Sequence, residues 1–325
     1  MKILIVRLSA LGDIVHALPA LAALRRTFPD ARIDWLVDAR HRAVLDLTSG
    51  LSNVIAVETT RQWSRLPSAV RGLRGTRYDI ALDLQGLLKS AVLARASGGD
   101  RVLGFERAAL RESLAATFYS EQHPVDDRGH VIRKNLALAE AAGAGPGPIS
   151  FPLVVPALPP GVEPPYVLLN PGAGWPNKQW PTDRFGTLAS WMHERHGLRS
   201  LVLWGPREEA LAGAVSAQSQ GAARVAPRTS IGDLLAIAKA ARLVVSGDTG
   251  PMHLAAAVGT PLVGLFGPTN PARNGPFDPA DVSVDRFGAC VCHHERRCRR
   301  ETACITTITL DEVQAAVDRR LTRVN

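Results

Sequence analysis

Two segments far apart in this chain each pass from an apolar run through a small polar turn straight into a helix, and that repeated unit constrains the fold most. The later one reads Leu243-Val244-Val245-Ser246-Gly247-Asp248-Thr249-Gly250-Pro251-Met252-His253-Leu254-Ala255-Ala256-Ala257. Strand, tight turn and helix N-terminus in that order suit a phosphate, because unpaired backbone N–H groups point outward and the helix dipole favours an anion. Pro251 fits a first helical turn, where its missing N–H costs nothing. Gly250 lets backbone approach a ligand closely. A plain turn capped by Asp248 or Thr249 would carry the same residues. The earlier segment reads Ile3-Leu4-Ile5-Val6-Arg7-Leu8-Ser9-Ala10-Leu11-Gly12-Asp13-Ile14-Val15-His16. Its aliphatic start predicts a parallel strand buried on both faces. Asp13 stands where the next helix begins, either as an N-cap or as a carboxylate at the carboxyl end of strand one, where open α/β sheets bind ligands. A helix N-terminus keeps such an acid ionised, so near neutral pH it can accept a proton. Pro19 predicts a kink or a restart of that helix.

A length of 325 residues suggests two domains, and 46% hydrophobic residues with only 5% aromatics fits α/β better than all-β. The apolar runs are too short to span a bilayer. Arg7 and Asp13 interrupt the one N-terminal stretch that resembles a signal peptide, so a cytoplasmic protein is expected. The net charge of +8 is carried mainly by arginine, since lysine occurs only at positions 2, 89, 134, 178 and 239. No basic stripe interleaved with aromatics appears, which argues against nucleic acid as a partner. Anionic small molecules or an anionic membrane face explain the charge more simply.

Apolar runs at 3–8, 32–37, 54–57, 79–84 and 101–104 alternate with helical stretches, the signature of a parallel sheet with crossover helices. Gly/Pro-rich sequence between about 144 and 165 marks a domain boundary. Alternation resumes with strands at Tyr166–Asn170, Ser200–Trp204, Ala223–Ala226, Leu243–Ser246 and Leu262–Phe266, with helices near 181–197, 207–219, 231–241 and 251–258. The expected domains are 1–155, 165–310 and a C-terminal amphipathic helix within 311–325. Two Rossmann-like, doubly wound domains facing each other across a cleft is the architecture this predicts.

In the second half, Pro171-Gly172-Ala173-Gly174-Trp175-Pro176-Asn177-Lys178 forms a small-residue loop ending in a lysine. Lys178 could offer a mobile positive charge to a diphosphate leaving group; a solvated surface lysine would read the same way. Glu208 and Glu209 open a helix after Trp204-Gly205-Pro206. They are either dipole complements or the carboxylate with which nucleotide folds grip a ribose. With the turn at 247–250 these loops describe a nucleotide-diphosphate site. Neither a GxGxxG fingerprint nor a GxxxxGK[ST] loop is present.

The segments Leu11-Gly12-Asp13-Ile14-Val15-His16-Ala17-Leu18-Pro19-Ala20-Leu21, Asp83-Leu84-Gln85-Gly86-Leu87-Leu88-Lys89-Ser90, Lys178-x-Trp180-Pro181 and Asp248-Thr249-Gly250-x-x-His253 resemble the lipopolysaccharide heptosyltransferases of glycosyltransferase family 9. The resemblance runs from residue 1 to about 280, and the N-terminal motif is most similar to the heptosyltransferase I type. It implies the GT-B fold, with an N-terminal acceptor-binding and a C-terminal ADP-sugar-binding domain. The implied reaction is an inverting transfer from ADP-heptose to Kdo of the lipid A inner core, with no cofactor in the chemistry, on the inner face of the inner membrane. It puts the general base on Asp13 and the diphosphate cation on Lys178. Donor contacts fall on Glu208 (or Glu209), Asp248, Thr249, Gly250, His253, Ala173 and Gly174. Acceptor contacts fall on Arg7, Ser9, Arg61, Arg65, Arg111 and Lys134. The chain departs from the pattern at Ala173 and Gly174, where hydroxyl residues are common, and at Ser64, which replaces a basic residue. Another donor sugar, a protein acceptor, a nucleotide-sugar epimerase and a non-catalytic nucleotide-binding module are the competing readings.

Cys290, Cys292, Cys298 and Cys304 are the only cysteines, spaced C-x-C-x5-C-x5-C beside His293 and His294. That clustering is consistent with a structural Zn or Fe site, with reduced structural thiols, or with redox-labile pairs.

Overall fold

In the first half of the chain β1 (Lys2–Val6), α1 (Leu11–Thr27), β2 (Arg32–Asp38), α2 (Arg42–Leu45), β3 (Asn53–Val57), α3 (Leu66–Thr76), β4 (Ile80–Asp83), α4 (Leu88–Ala96), β5 (Arg101–Phe105), β6 (Glu121–His123) and α5 (Val131–Ala141) follow in order. In the second half come β7 (Val167–Asn170), α6 (Thr182–His196), β8 (Ser200–Val202), α7 (Glu209–Gln218), β9 (Ala223–Val225), α8 (Ile231–Ala240), β10 (Leu243–Gly247), α9 (Gly250–Ala257), β11 (Leu262–Phe266), α10 (Pro271–Asn274), β12 (Val282–Asp285) and α11 (Leu310–Thr322). The computed structural model describes residues 1–58, 66–293 and 295–322, so Arg61, Ser64, Arg65 and His294 lie outside the described residues. The chain divides into two units, Met1–Val154 and Val155–Asn325.

Each unit holds one six-stranded, wholly parallel sheet, in the orders β3-β2-β1-β4-β5-β6 and β9-β8-β7-β10-β11-β12. The two orders are the same topology, that of a doubly wound α/β fold. Because the strand order reverses beside the first strand, each unit has a switch point: between β1 and β4 in the first, between β7 and β10 in the second. Crossover connections leave in opposite directions there and open a crevice at the strands' carboxyl ends. The register places Val6 beside Asp83 and Asn170 beside Ser246 at those two points.

The central strands are solid apolar runs because helices cover both faces; Ile3 to Val6 are fully buried. The edge strands β6 and β12 are absent from the sequence-based reading. They are short, and they carry Glu121, Gln122 and His123, or Ser283 and Asp285. An edge strand has one neighbour and less cover, so no continuous apolar run marks it: β6 has no apolar residue, and β12 has only the alternating Val282 and Val284. Arg101 clamps β6 instead, with its Nε 2.6 Å from Glu121 Oε1 and Nη2 2.8 Å from Oε2.

Pro19 neither restarts nor ends its helix: α1 is a single helix from Leu11 to Thr27. An interior proline costs about 3 kcal/mol, but α1 buries ten residues between Ile14 and Leu24, and that burial outweighs it. Asn135 of α5 also donates to the His16 carbonyl at 3.0 Å. The C-terminal helix is part of the second unit, since Val313, Ala316 and Val317 share one core with Val263, Leu265 and Phe185. Its Arg320 Nε lies 2.7 Å from the buried Asp281 carboxylate.

Candidate active site

At the switch point of the second unit, Asn170 ends β7 and its side-chain amide donates to Ser246 Oγ (3.0 Å) and Thr249 Oγ1 (2.9 Å). This ties the ends of β7 and β10 together beneath the turn. Thr249 is the N-cap residue of α9 by backbone position, but its hydroxyl is taken by Asn170 and by the Gly247 carbonyl, and it makes no side-chain cap. The sequence-based alternative of a turn closed by Asp248 or Thr249 is therefore not what forms. The first backbone N–H groups of α9, starting at Gly250, have no side-chain acceptor supplied by the N-cap, which is the condition for binding an anion.

Asp248 is buried and turns away from the cap position. Its Oδ2 accepts from Lys178 Nζ at 2.6 Å and its Oδ1 meets His253 Nε2 at 3.0 Å. Burial pushes the Asp248 carboxyl up, but the hydrogen bond and charge of His253, followed by those of Lys178, outweigh it and hold the group well below the usual carboxylate range. Lys178 reaches Asp248 across 70 residues of sequence because the Pro176–Lys178 stretch folds as a 3-10 turn against β10. Gly247 makes the approach possible, since a Cβ there would stand 2.8 Å from the Lys178 carbonyl oxygen. The lysine is thus not the mobile loop cation that the sequence suggests. It is largely buried, paired, and lies 4.7 Å from the Trp175 ring centroid.

Glu208 sits at the neighbouring strand end, immediately before α7, with Oε2 accepting from the Gly205 N–H at 3.0 Å. A Cβ on Gly172 would collide with this carboxylate, and one on Gly205 would come within 2.8 Å of it. Two glycines therefore make room for one carboxylate among the loops after β7 and β8. Glu209 is exposed on the first turn of α7, so position favours Glu208 of the pair. Ala173 and Gly174 belong to the same loop; the Ala173 carbonyl accepts from Gln179 Nε2 at 3.2 Å, and Gly174 faces open space.

The first unit has its own polar group at its switch point. Arg7 follows β1 and is only 7% exposed. Its Nη1 donates to the Leu84 carbonyl and its Nη2 lies 2.8 Å from Asp13 Oδ1. The other Asp13 oxygen accepts from the Ala10 N–H at 3.1 Å. Asp13 is therefore the third residue of α1 and not its N-cap, which is Ala10. The segment after β4 is held from below by Asp83. This carboxylate accepts from the Gln85 and Gly86 N–H groups (2.9 and 3.1 Å), Ser90 Oγ (2.9 Å) and Tyr119 Oη (2.8 Å). Burial pushes the Asp83 carboxyl up, against those four hydrogen bonds. Gln85 Oε1 in turn accepts from the Leu8 N–H at 2.8 Å. Asp83, Gln85, Asn170 and Ser246 carry no role in the sequence-based reading. Asp83 and Gln85 lie in one of the segments that carry the family resemblance, whereas Asn170 and Ser246 were marked only by position at a strand's carboxyl end.

Of the other expected acceptor residues, Ser9 is half-buried beside Arg7 and Arg111 is exposed. Lys134 of α5 donates to the Ala109 carbonyl at 2.9 Å and lies 4.5 Å from the Phe105 ring centroid. The four cysteines pack together, with Cys298 the least buried. Burial, then the hydrogen bond with Cys290, pushes the Cys304 thiol up to about 12. Among the described residues no three His, Cys, Asp or Glu side chains form a group set to hold a metal ion. No helix among them is long and apolar enough to cross a membrane.

Comparison with known proteins gives the family. The family model of glycosyltransferase family 9 (heptosyltransferase) matches residues 67–303, a span that includes Lys178, Glu208, Asp248 and three of the four cysteines, Cys290, Cys292 and Cys298. Lipopolysaccharide heptosyltransferase 1 of Pseudomonas aeruginosa is 34% identical over 314 residues, covering 92% of this chain and 87% of the relative. The E. coli heptosyltransferase WaaC solved with ADP-2-deoxy-2-fluoro heptose superposes with a TM-score of 0.80 at 25% identity, covering 98% of this chain and 99% of that one. A family 9 glycosyltransferase from Veillonella parvula superposes with a TM-score of 0.83 at 20% identity, covering 99% and 97%. The chain belongs to glycosyltransferase family 9, the heptosyltransferases.

Proposed function

We propose that this enzyme transfers heptose, with inversion, from ADP-L-glycero-D-manno-heptose to Kdo of the lipid A–Kdo inner core. The observation that carries the donor half is the Lys178–Asp248–His253 group beside the open start of α9, at the switch point where doubly wound sheets bind nucleotides. The ADP-2-deoxy-2-fluoro heptose in the E. coli relative supports the same donor. Names of curated relatives support a lipopolysaccharide acceptor.

In this reading Glu208 accepts from the ribose hydroxyls and the diphosphate lies on the α9 N–H groups, with Lys178 reaching it from Asp248. Asp13 takes the proton of the acceptor hydroxyl as its oxygen attacks the anomeric carbon. Arg7 and the Ala10 N–H hold the two Asp13 oxygens, so the carboxylate meets the acceptor in one orientation. Charge then grows on the departing ADP, where a fixed cation and helix N–H groups stabilise the transition state more than the ground state. These groups supply the neutralisation that a catalytic metal would otherwise give, so no cofactor is proposed for the chemistry. Arg61, Arg65, Arg111 and Lys134 bind the acceptor's carboxylates and phosphates.

A peripheral position on an anionic inner-membrane face is supported by the surface of the first unit. Leu88 and Val92, one turn apart on α4, and Leu114, in the 3-10 turn packed on that helix, are exposed among the exposed Arg95, Arg107 and Arg111. Incubation with ADP-heptose and Kdo-bearing lipid A tests the whole reading. One heptosyl unit should be added to the lipid by the native protein and almost none by Asp13→Asn. A lipid of unchanged mass with folded, ADP-binding native protein would overturn the proposed acceptor.

A further inference from the structure

We propose that Gln85 is a further substrate-binding residue, its side-chain amide donating from Nε2 to an oxygen of the acceptor sugar beside the hydroxyl that Asp13 deprotonates. This rests on the proposed reading of Asp13 as the base and of Kdo-bearing lipid A as the acceptor. Gln85 follows β4 at the switch point of the first unit, and its amide is oriented from one end. The group that faces it at 2.8 Å is the Leu8 N–H, which can only donate, so that end of the amide is the carbonyl Oε1 and the other end is the NH2. Nε2 has no protein partner among the described residues, and the side chain is half-buried. A planar donor whose oxygen is already held can bond a ligand without turning, which is how a largely preformed site fixes orientation with few polar groups.

The frame beneath the turn keeps the amide in that place. Asp83 is fully buried; its Oδ1 accepts from the Gln85 and Gly86 N–H groups, and its Oδ2 from the Ser90 and Tyr119 hydroxyls. Gly86 takes the left-handed backbone region at a φ of +70°, and a Cβ there would stand 2.7 Å from Leu110 Cδ2. A Cβ on Gly104 of β5 would collide with the Tyr119 ring, so a second glycine admits the residue that supports Asp83 from the far side.

The same short stretch of chain holds both the amide and the base. Arg7 Nη1 donates to the carbonyl of Leu84, next to Gln85, while Arg7 Nη2 lies 2.8 Å from Asp13 Oδ1. Leu8, next to Arg7, holds the Gln85 oxygen. Residues 7 and 8 after β1 therefore contact Asp13 and the Leu84–Gln85 turn at once, and place a proton acceptor and a hydrogen-bond donor in one crevice. Neighbouring oxygens of a sugar match that pair. The attacking hydroxyl gives its proton to Asp13, and the oxygen beside it accepts from Gln85. Two points of attachment fix the angle of attack where one would leave the ring free to turn.

The test measures heptosyl transfer from ADP-heptose to Kdo-bearing lipid A by the full chain, with donor and acceptor KM determined separately. Gln85→Glu keeps an oxygen for the Leu8 N–H and loses the donor; Gln85→Met loses both. Each should raise the acceptor KM about tenfold, the scale of one hydrogen bond to a substrate, with donor KM and ADP affinity within about twofold of native. An amide that only braced the turn would be rescued by Gln85→Glu, so a native acceptor KM in that variant overturns the contact, as does a rise in the donor KM alone. Lipid acceptors in which each oxygen flanking the attacking hydroxyl is replaced by hydrogen give a second measurement. One of them should lower kcat/KM of the native protein about tenfold and that of Gln85→Met less than about twofold, a coupling that a misfolded variant does not produce. Equal losses in both proteins for every analogue overturn the contact. Near-native turnover by Asp13→Asn removes the base reading and leaves the KM result for Gln85 standing. No transfer by the native protein removes the acceptor reading and this contact with it.

Discussion

Replacing Lys178 by methionine keeps the length of the side chain and removes its charge, and the cost follows from what it leaves behind. The side chains of Lys178 and Asp248 are 15% and 5% exposed, so the carboxylate cannot turn to water when the ammonium is gone. Truncating one partner of a buried pair costs about 3–5 kcal/mol, because the surviving charge is uncompensated. Here His253 still meets Asp248 Oδ1 at 3.0 Å, which softens the loss to about 2–3 kcal/mol. For a unit of this size that corresponds to a fall of about 4–12 °C in the second unit's Tm. Four of the six tryptophans (Trp175, Trp180, Trp191 and Trp204) lie in that unit, so fluorescence during urea or thermal unfolding reports on it. The decisive comparison is a double-mutant cycle with Asp248→Asn. Once the carboxylate is neutral, Lys178→Met should cost below about 1 kcal/mol, a coupling of roughly 1 kcal/mol or more. A solvated loop lysine would cost about 0.5 kcal/mol or less in either background. Additive effects of that small size would refute the buried pairing.

Asp13→Asn should lower turnover by about 10²–10⁴ while ADP affinity stays within about twofold, checked by product mass and calorimetry; near-native turnover would remove the base assignment. Gly172→Ala should weaken ADP binding about tenfold because the new methyl displaces the Glu208 carboxylate, whereas Gly174→Ala, facing open space, should not; equal effects would sink the ribose assignment. The depressed Asp248 carboxyl makes an acid prediction: its folded value lies below its unfolded one, so its stabilisation is complete above about pH 4 and is lost as pH falls below that. The urea midpoints of native protein and Asp248→Asn should therefore keep a constant gap above about pH 4 and draw together as pH falls below it, and a gap unchanged through that fall would contradict the shift. Neutralising Arg61 and Arg65 together should raise the acceptor KM and leave the donor KM nearly unchanged; the reverse would mean the roles of the two halves are exchanged.

By itself the sequence determined where most of the chain alternates between strand and helix and which turns stand at the strands' carboxyl ends. Aliphatic runs such as Ile3–Val6 and Leu243–Val245, followed by Gly, Asp and Thr, encode strand, turn and helix start through neighbours a few residues apart. The same local signals located Asp13, Lys178, Glu208 and the 248–250 turn. They did not show the edge strands β6 and β12, which are short and carry no continuous apolar run, or the passage of α1 through Pro19, which depends on packing around it. Nor could they show how charges pair. Lys178 meets Asp248, and Arg7 meets the Leu84 carbonyl, only because β7 lies beside β10 and β1 beside β4. Strand order brings together residues about 70 positions apart, and burial then forces each charge to find a partner, so the tertiary structure alone decided that the two groups are paired networks and not free side chains.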